Sequence, residues 1–333
     1  MQEEYTMNKK ILSILMVCIL ALGFTVGCQS QDNVDIGANS EPYKVAFIAR
    51  SQQDYYAVWL ANEMLIAAEK YPDIKLDIFD GQGDDEAENK AIEEAIAAGY
   101  DAIIVQPNNG EAQRPYVEKI VENGIIAVTT NSKIEGIEGA SSVDSDPYAQ
   151  AMANIEGALT EIPENAKVVI LKGPAGNYHA DERYKAWRAE FFRQRPDVTV
   201  VGEDFANWDK NIAKELMTNW SADSEPIQAI IAMNDNMAIG AWEAVKDNPV
   251  YDTTLIYGVD GIPIMCSLIE TGEITSTCLQ SAIELAEVNM ETVHQLLTGK
   301  EKEINKSIRT TVVNKVNVEK YIKQYTERGL IAE

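Results

Sequence analysis

Short apolar runs that end abruptly in polar residues alternate with helix-patterned segments along most of this chain. In the clearest case, residues 229–233 are apolar, and Asn234 and Asp235 follow directly. Apolar residues with helical spacing then resume through Trp242 and Val245. Strands buried in parallel sheets have this apolar composition, and open α/β sheets bind small molecules at the carboxyl ends of such strands. Asn and Asp are also common helix caps, so this stretch alone does not distinguish a binding site from a cap.

The same alternation predicts strands in two series, with an interruption near residues 140–146. The strands are predicted at 44–49, 74–79, 102–105, 125–129, 167–171, 198–201, 228–233, 254–259 and 274–279. Strands that alternate with helices indicate an α/β fold with doubly wound parallel sheets, and two series of similar size indicate two lobes. A β-rich segment at 308–313 and a short helix follow, and these later elements are expected to cross back to the first lobe.

The amino terminus has the pattern of an export signal. Two lysines precede an apolar run without charged residues over residues 11–24, which is shorter than a typical membrane span. The run leads to Cys28 and resembles the lipobox of bacterial lipoproteins, whose cysteine is lipidated. We therefore predict a signal peptide over 7–27, with the first methionine or Met7 as the start. Cys28 is the predicted lipid anchor on the outer face of the cell membrane, and residues 28–42 are a flexible tether.

The composition argues against several kinds of partner. A formal net charge of -25 disfavours nucleic acid and anionic lipid, since both bind basic surfaces. Two of the four cysteines, Cys266 and Cys278, lie in the predicted folded part, where two buried thiols are favoured over a disulfide. The spacing of cysteine and histidine does not indicate a metal site, so neither a metal nor another cofactor is expected.

Enzyme signatures in the sequence are weak. There is no GxSxG, HExxH or phosphate-binding GxxxxGK[ST] motif. Only two histidines occur, of which His294 falls in a helix away from the strand ends and His179 lacks an evident nucleophile partner. A carboxylate pair for glycoside hydrolysis stays open, with Asp54 and Asp260 as its candidates.

Polar side chains at the predicted strand ends form the candidate binding site. They are Gln106, Asn131, Asn234, Asp260 and Gln280, with Arg183 and Trp208 on nearby helix starts and loops. Carboxylates, carboxamides and guanidinium groups are planar and offer paired donors or acceptors, which match the adjacent hydroxyls of a sugar or cyclitol ring. The apolar face of such a ring packs on an aromatic plane, for which Trp208 and Tyr55 or Tyr56 are candidates. Each residue also has an ordinary structural alternative, such as a turn, a solvated charge or core packing.

Four motifs together give the chain a family resemblance. They are residues 170–176 (ILKGPAG) followed by Glu182 and Arg183, Asn207-Trp208-Asp209, residues 233–241 (MNDNMAIGA), and residues 257–261 (YGVDG). Across residues 44–313 the chain resembles the periplasmic-binding-protein type 1 sugar receptors, near the ribose and glucose/galactose binding proteins. Ribose receptors carry Asp-Arg where this chain has Asn131-Ser132, and the calcium loop of the glucose/galactose receptors has no counterpart around 162–167. The resemblance therefore leaves the sugar open and predicts no calcium.

The resemblance implies two Rossmann-like lobes joined by three crossovers, with the sugar in the cleft between them. It assigns residues 43–145 plus 281–308 to the N-terminal lobe, and residues 146–280 plus 309–333 to the C-terminal lobe. The implied ligand contacts are Asp54, Tyr56, Asn131, Arg183, Trp208, Asn234, Asp260 and Gln280, with Gln106 at a strand end near the ligand. Asn177 falls where those receptors place a polar sugar contact of another residue type, and with Tyr55 it completes the predicted set of eleven ligand-binding residues.

For function, the resemblance implies a monomeric, lipid-anchored solute receptor. Such a receptor captures a monosaccharide-like ligand (a hexose, pentose or cyclitol) and delivers it to an ATP-driven ABC importer. Two alternatives stay open. The same fold could serve as the sensing subunit of a chemoreceptor or histidine kinase, and a sugar-acting hydrolase or dehydrogenase is the third interpretation.

Overall fold

The computed structural model describes residues 41–222 and 226–332, which contain two six-stranded sheets flanked by helices. The strands are β1 (Tyr43–Ala49), β2 (Ile74–Asp80), β3 (Ala102–Val105), β4 (Ile126–Thr130), β5 (Ala140–Ser145), β6 (Lys167–Lys172), β7 (Thr199–Phe205), β8 (Ala229–Ala232), β9 (Leu255–Asp260), β10 (Ser276–Leu279), β11 (Asn305–Ile308) and β12 (Thr311–Asn314). The helices are α1 (Tyr55–Ala68), α2 (Asp85–Ala97), α3 (Gly110–Glu122), α4 (Pro147–Glu161), α5 (Tyr178–Ala186), α6 (Lys210–Ser221), α7 (Asp235–Val245), α8 (Pro263–Thr271), α9 (Ala282–Leu297) and α10 (Val318–Glu327). A π-helical turn, Trp187–Phe192, extends α5, and a 3-10 turn, Pro249–Tyr251, follows α7.

The two sheets define two lobes. The first sheet has the order β11-β5-β4-β3-β1-β2, and its neighbouring strands are parallel. The second has the order β12-β10-β9-β8-β6-β7, and only β12 runs antiparallel to its neighbour β10. The chain passes from the first sheet to the second after β5, returns after β10, and passes to the second again between β11 and β12. The predicted α/β class, with two lobes built on parallel sheets, is confirmed.

The strands end where polar caps turn the chain into helices. Val45–Ala49 of β1 is fully buried, as expected for a strand covered by helices on both faces. At the helix starts, the side chain of Asp54 accepts from the backbone N–H of Ala57 (2.8 Å) and that of Asn234 accepts from Met237 (2.9 Å). Each such cap satisfies a free N–H of the first helical turn. The caps also hold polar side chains at the carboxyl edges of the sheets.

The sequence pattern missed one strand, and it combined parts of two strands into one β-rich segment. Residues 140–145 form β5 rather than an interruption, because β4 and β11 pair with this segment on both sides. Its only apolar residues are Ala140 and Val143, so apolar periodicity does not mark it. The segment 308–313 contains the end of β11 and the start of β12, which belong to different sheets.

Two further observations concern cysteines and the membrane. Cys266 and Cys278 are both buried and free, which confirms the prediction of two thiols. Among the helices of the described ranges, none has the length and apolar character needed to cross a bilayer. The predicted signal peptide, the proposed anchor Cys28 and most of the tether lie outside the residues that the structure describes.

Candidate functional site

The carboxyl ends of strands from both sheets meet around a small cavity of about 20 Å³. Its lining is Arg50, Tyr56, Asn131, His179, Arg183, Trp208, Asn234, Asp260 and Gln280. We call this space the inner cavity. Seven of the eleven predicted ligand residues are in this lining, so the structure brings most of the predicted set together.

Three of the other predicted residues lie next to the inner cavity rather than on its wall. Asp54 and Tyr55 line a larger cleft outside it. Gln106 lies fully buried behind it, where its Oε1 accepts from the backbone N–H of Arg50 (3.1 Å). Gln106 Nε2 donates to Asn131 Oδ1 (2.7 Å). Gln106 therefore orients Asn131 from behind the cavity wall.

The fourth, Asn177, connects the lobes instead of lining the cavity. Its side chain donates to the backbone carbonyl of Asn108 in the other lobe (3.0 Å). A second connection is buried, between His179 Nε2 of α5 and Asp144 Oδ1 of β5 (2.8 Å). Burial lowers the pKa of His179 despite the opposing charge of Asp144. A neutral His179 then donates from Nε2 to Asp144 and accepts at Nδ1 from Arg183 Nη2 (3.1 Å).

Arg183 is the most connected side chain of the site. Its Nε and Nη2 both donate to Gln150 Oε1, at 2.9 and 2.6 Å. Its Nη1 donates to the carbonyl of Met233 (2.7 Å), and Nη2 also reaches Gln280 Oε1 (3.1 Å). Gln280 Oε1 accepts in addition from Ser145 Oγ (2.8 Å). These hydrogen bonds therefore hold Arg183 and Gln280 in place at the wall of the inner cavity.

Four buried polar atoms around this space have no hydrogen-bond partner among the described residues. They are Asp54 Oδ2, Tyr56 Oη, Asn131 Nδ2 and Trp208 Nε1. An unpaired buried polar group costs about 1–3 kcal/mol. One carboxylate acceptor, one phenol hydroxyl and two N–H donors are therefore left for a ligand, whose hydroxyl groups could pair with all four.

Trp208 forms an aromatic wall that the backbone holds in place. Asn207 and Trp208 both have left-handed φ angles, 52° and 64°. The indole lies so close to Gly173 that a Cβ added there would come 2.3 Å from its Cζ2 and Cη2 atoms. The guanidinium carbons of Arg50 and Arg183 each lie 5.8 Å from the ring centroid. Left-handed conformations of non-glycine residues store strain, which often occurs at ligand sites.

Asp260 ends β9 in an unusual backbone conformation, with φ at 135°. The loop behind it is held by buried Asp235, whose Oδ2 accepts from the N–H groups of Gly261 (2.7 Å) and Ile262 (3.0 Å). Asp235 Oδ1 accepts from Thr277 Oγ1 (2.6 Å). Burial and the neighbouring Asp235 raise the pKa of Asp260, while the two guanidinium groups of the cavity oppose the shift. Asp235 is thus a structural carboxylate, and Asp260 is the one on the cavity wall.

Several residues of the site were absent from the predicted set. Arg50 directly follows β1, so the rule used for the other strand ends would have found it. Asp144 and Gln150 belong to or follow β5, the strand that the apolar pattern did not mark. His179 was noted without a partner, because its pairing with Asp144 joins positions 35 residues apart.

A larger cleft of about 750 Å³ opens outward from the inner cavity. Residues of both lobes line it, and Arg50 and Trp208 line both spaces. We call it the outer cleft. In the described part of the chain, no group of three or more histidine, cysteine or acidic side chains could hold a metal ion.

Comparison with known proteins identifies the family. Residues 45–301 match the family model of the periplasmic binding protein domain. A xylitol-binding protein of Mycolicibacterium smegmatis is 25% identical over 323 residues, which cover 96% of this chain and 90% of the relative. A putative rhizopine-binding protein of Rhizobium meliloti is 27% identical over 274 residues, which cover 80% of this chain and 89% of the relative.

A solved structure shares the architecture. It is an ABC transporter solute-binding protein of Bacillus halodurans with bound myo-inositol, and it superposes with a TM-score of 0.79 at 24% identity. The superposition covers 86% of this chain and 99% of that one. Because the family model spans most of the sequence, the chain belongs to the periplasmic binding protein family.

Proposed function

We propose that this protein is an extracytoplasmic receptor that encloses a neutral, polyhydroxylated ligand between its lobes. The observation that carries the proposal is the set of four unpartnered polar atoms around the inner cavity. Hydroxyl groups both donate and accept, so one ring with several hydroxyls can pair with acceptors such as Asp54 and donors such as Trp208. The indole of Trp208 would pack against the apolar face of the ring.

The charges around the site favour a neutral ligand over a sugar acid or a sugar phosphate. Two guanidinium groups, Arg50 and Arg183, are accompanied by the carboxyl groups of Asp54, Asp144 and Asp260. Arg50 already pairs with Asp54 at 2.9 Å. The site therefore has no excess of positive charge to compensate a buried anion, and burying an uncompensated charge is costly.

The relatives support a polyol or sugar as the ligand class. The names of two of them state xylitol and rhizopine as ligands, and the similar solved structure holds myo-inositol. That structure is a component of an ABC transporter, which supports delivery of the ligand to an ABC importer. Residues 43–145 plus 281–308 and residues 146–280 plus 309–333 would then move as hinged bodies that close on the ligand.

Binding without turnover and membrane anchorage complete the proposal. His179 is engaged with Asp144 and Arg183, which favours a positioning role over a role as a general base. Asp54, a candidate for glycoside hydrolysis, uses Oδ1 for Arg50 and the cap of α1.

A lipid on Cys28 would keep the receptor next to its importer. A Cys28→Ala variant that still partitions into the detergent phase would contradict the anchor.

The binding test is a thermal-shift screen of pentoses, hexoses, inositols and xylitol, followed by calorimetric titration. A ligand at 100 times its Kd stabilises the folded state by about 2.7 kcal/mol. Asp260→Asn should weaken binding roughly 10- to 100-fold, because it replaces a carboxyl oxygen with an NH₂ group, and a buried polar group left without its hydrogen bond costs about 1–3 kcal/mol. The matched control is Asp252→Asn, which changes an exposed aspartate of the same lobe.

Three results would contradict parts of this proposal. Equal affinity of the two variants would place the ligand elsewhere, and chemical conversion of a bound sugar would indicate an enzyme. If the ligand-loaded protein fails to stimulate the ATPase of its ABC transporter but activates a sensor kinase, the sensing role replaces the import role.

A further inference from the structure

We propose that Tyr325 of the last helix, α10, is a positioning residue of the binding site, although it lines neither the inner cavity nor the outer cleft. Tyr325 holds the turn that carries Asp260 from behind. Through Trp59, it also connects this turn to Tyr56, which the other lobe contributes to the inner cavity. The inference rests on the proposed function and adds to it side chains outside the site on which the affinity for the ligand depends.

The first observation is a buried hydrogen bond directly behind Asp260. Tyr325 Oη donates to the backbone carbonyl of Gly261 (2.7 Å), and Tyr325 is only 2% exposed. Burial raises the pKa of Tyr325, so the phenol keeps its proton and remains a donor at neutral pH. The thiol of Cys266, a weaker donor, lies 3.7 Å from the same oxygen. Because Asp235 accepts from the N–H of Gly261, both polar backbone groups of this residue are fixed.

The turn needs this support because its backbone conformation is unusual. Asp260 has φ at 135° and Gly261 has φ at 72°, so two consecutive residues lie at positive φ. A non-glycine residue keeps such a conformation only where its surroundings fix it. The direction in which the Asp260 carboxyl group points therefore depends on the hydrogen bonds that hold Gly261.

The second observation is a chain of edge-to-face aromatic contacts from α10 to the inner cavity. The rings of Trp59 and Tyr325 have a centroid distance of 5.7 Å and an interplanar angle of 85°. The rings of Trp59 and Tyr56 are related in the same way, at 5.9 Å and 82°. Both arrangements are favourable for aromatic pairs. Tyr325 thus reaches one residue of the cavity wall through Trp59 and another, Asp260, through Gly261.

The helices that meet here belong to different lobes. α10 follows β12 of the second sheet and packs on α8, whereas α1 connects β1 and β2 of the first sheet. Beside the aromatic contact, Arg328 of α10 pairs with buried Glu63 of α1, whose Oε1 also accepts from Trp59 Nε1 (3.2 Å). Tyr56 is attached to one side of this contact and Asp260 to the other. The contact between α1 and α10 therefore sets the distance between these two cavity residues.

The variant Tyr325→Phe isolates the hydrogen bond, because it removes Oη and keeps the ring against Trp59. Without this bond, the turn at Asp260 can adopt further conformations, and the apparent Kd rises as the binding-competent fraction falls. We expect the affinity to fall roughly three- to tenfold, which corresponds to the contribution of one hydrogen bond. Calorimetric titration measures the affinity, and the probe is the tightest binder among pentoses, hexoses, inositols and xylitol.

The matched control is Tyr321→Phe, which removes the hydroxyl of the other buried tyrosine of α10 and should bind the probe as the wild type does. Tyr325→Leu also removes the aromatic contact with Trp59, so its affinity should fall further than that of Tyr325→Phe. Urea unfolding without ligand establishes that each variant is folded under the conditions of the titration. A change in affinity is then separate from a loss of the fold.

The outcomes distinguish this inference from the proposed function. If Tyr325→Phe binds the probe within about twofold of the wild type, or if Tyr321→Phe loses as much affinity, the inference alone is overturned. A Tyr325→Phe variant that loses only free energy of unfolding also overturns it, because the hydroxyl then stabilises the fold without positioning Asp260. If the wild type binds none of the probes, the proposed function fails and this inference fails with it.

Discussion

The substitution Gly173→Ala tests how closely the aromatic wall is fitted to the site. The backbone of Gly173 is not in the left-handed region, so alanine is allowed there. The added Cβ would lie 2.3 Å from two indole atoms of Trp208 and 2.6 Å from a third. Carbon atoms in contact are about 3.5–4.0 Å apart, so the ring must move by roughly 1.2 Å or more. Overpacking of this kind destabilises a protein by about 1–3 kcal/mol.

The displaced ring should also weaken ligand binding. Trp208 forms part of both the inner cavity and the outer cleft. Moving the indole by about 1 Å changes the wall on which a sugar ring would pack. We expect the affinity for the best ligand to fall roughly 10- to 100-fold, which corresponds to about 1.4–2.7 kcal/mol.

Calorimetric titration and urea unfolding measure the two effects separately. The control is Gly157→Ala, inside α4, where a Cβ would meet only the flexible end of Glu161 at 3.3 Å. An alanine within a helix should stabilise the fold by about 0.5–1 kcal/mol and leave binding unchanged. If Gly173→Ala binds ligand within twofold of the wild type, the indole is not the packing surface, and the reasoning about Trp208 is refuted.

Two further predictions concern stability. Because burial lowers the pKa of His179, its contribution is present above about pH 6.5 and is lost as the pH falls towards its folded value. Between pH 7 and pH 5, the free energy of unfolding measured with urea should therefore fall less in His179→Gln than in the wild type. An equal fall in both proteins, or the same smaller fall in a His294→Gln control, would contradict this. Glu63 is buried and pairs with partly exposed Arg328, so Arg328→Ala should cost roughly 3 kcal/mol. Lys70→Ala, which removes an exposed ion pair, should cost less than about 1 kcal/mol, and equal costs would show that burial of Glu63 is unimportant.

The sequence was sufficient to predict the two lobes, because strands that are buried in a parallel sheet must be apolar. The run at β8 (Ala229–Ala232) is fully apolar and was found, whereas β5 (Ala140–Ser145) is mostly polar and was missed. Pairing by strands on both sides holds β5 in place, and such pairing is a tertiary effect that local periodicity does not register. The error mattered for function, since Asp144 of β5 is the partner of His179.

Within the site, the sequence predicted which strand ends carry polar residues but not where each side chain points. Tyr55 and Tyr56 are adjacent, yet Tyr56 lines the inner cavity and Tyr55 the outer cleft. The helical turn that begins at Tyr55 rotates neighbouring side chains by about 100°, so the exact start of the helix decides between them. Likewise, Gln106 follows its strand as Asn131 follows β4, but it supports Asn131 from behind.

The energetics of the site couple ligand binding to closure of the lobes. Direct contacts join the lobes, such as Asp144 with His179 and Asn108 with Asn177. The same closure removes water from four polar atoms that gain no protein partner, and each of them costs about 1–3 kcal/mol. Opening the cleft would return these atoms to water, whereas a polyol would pair with them in the closed form. Ligand hydroxyls therefore remove the main penalty of closure, and a ligand that lacks them would stabilise the closed form much less.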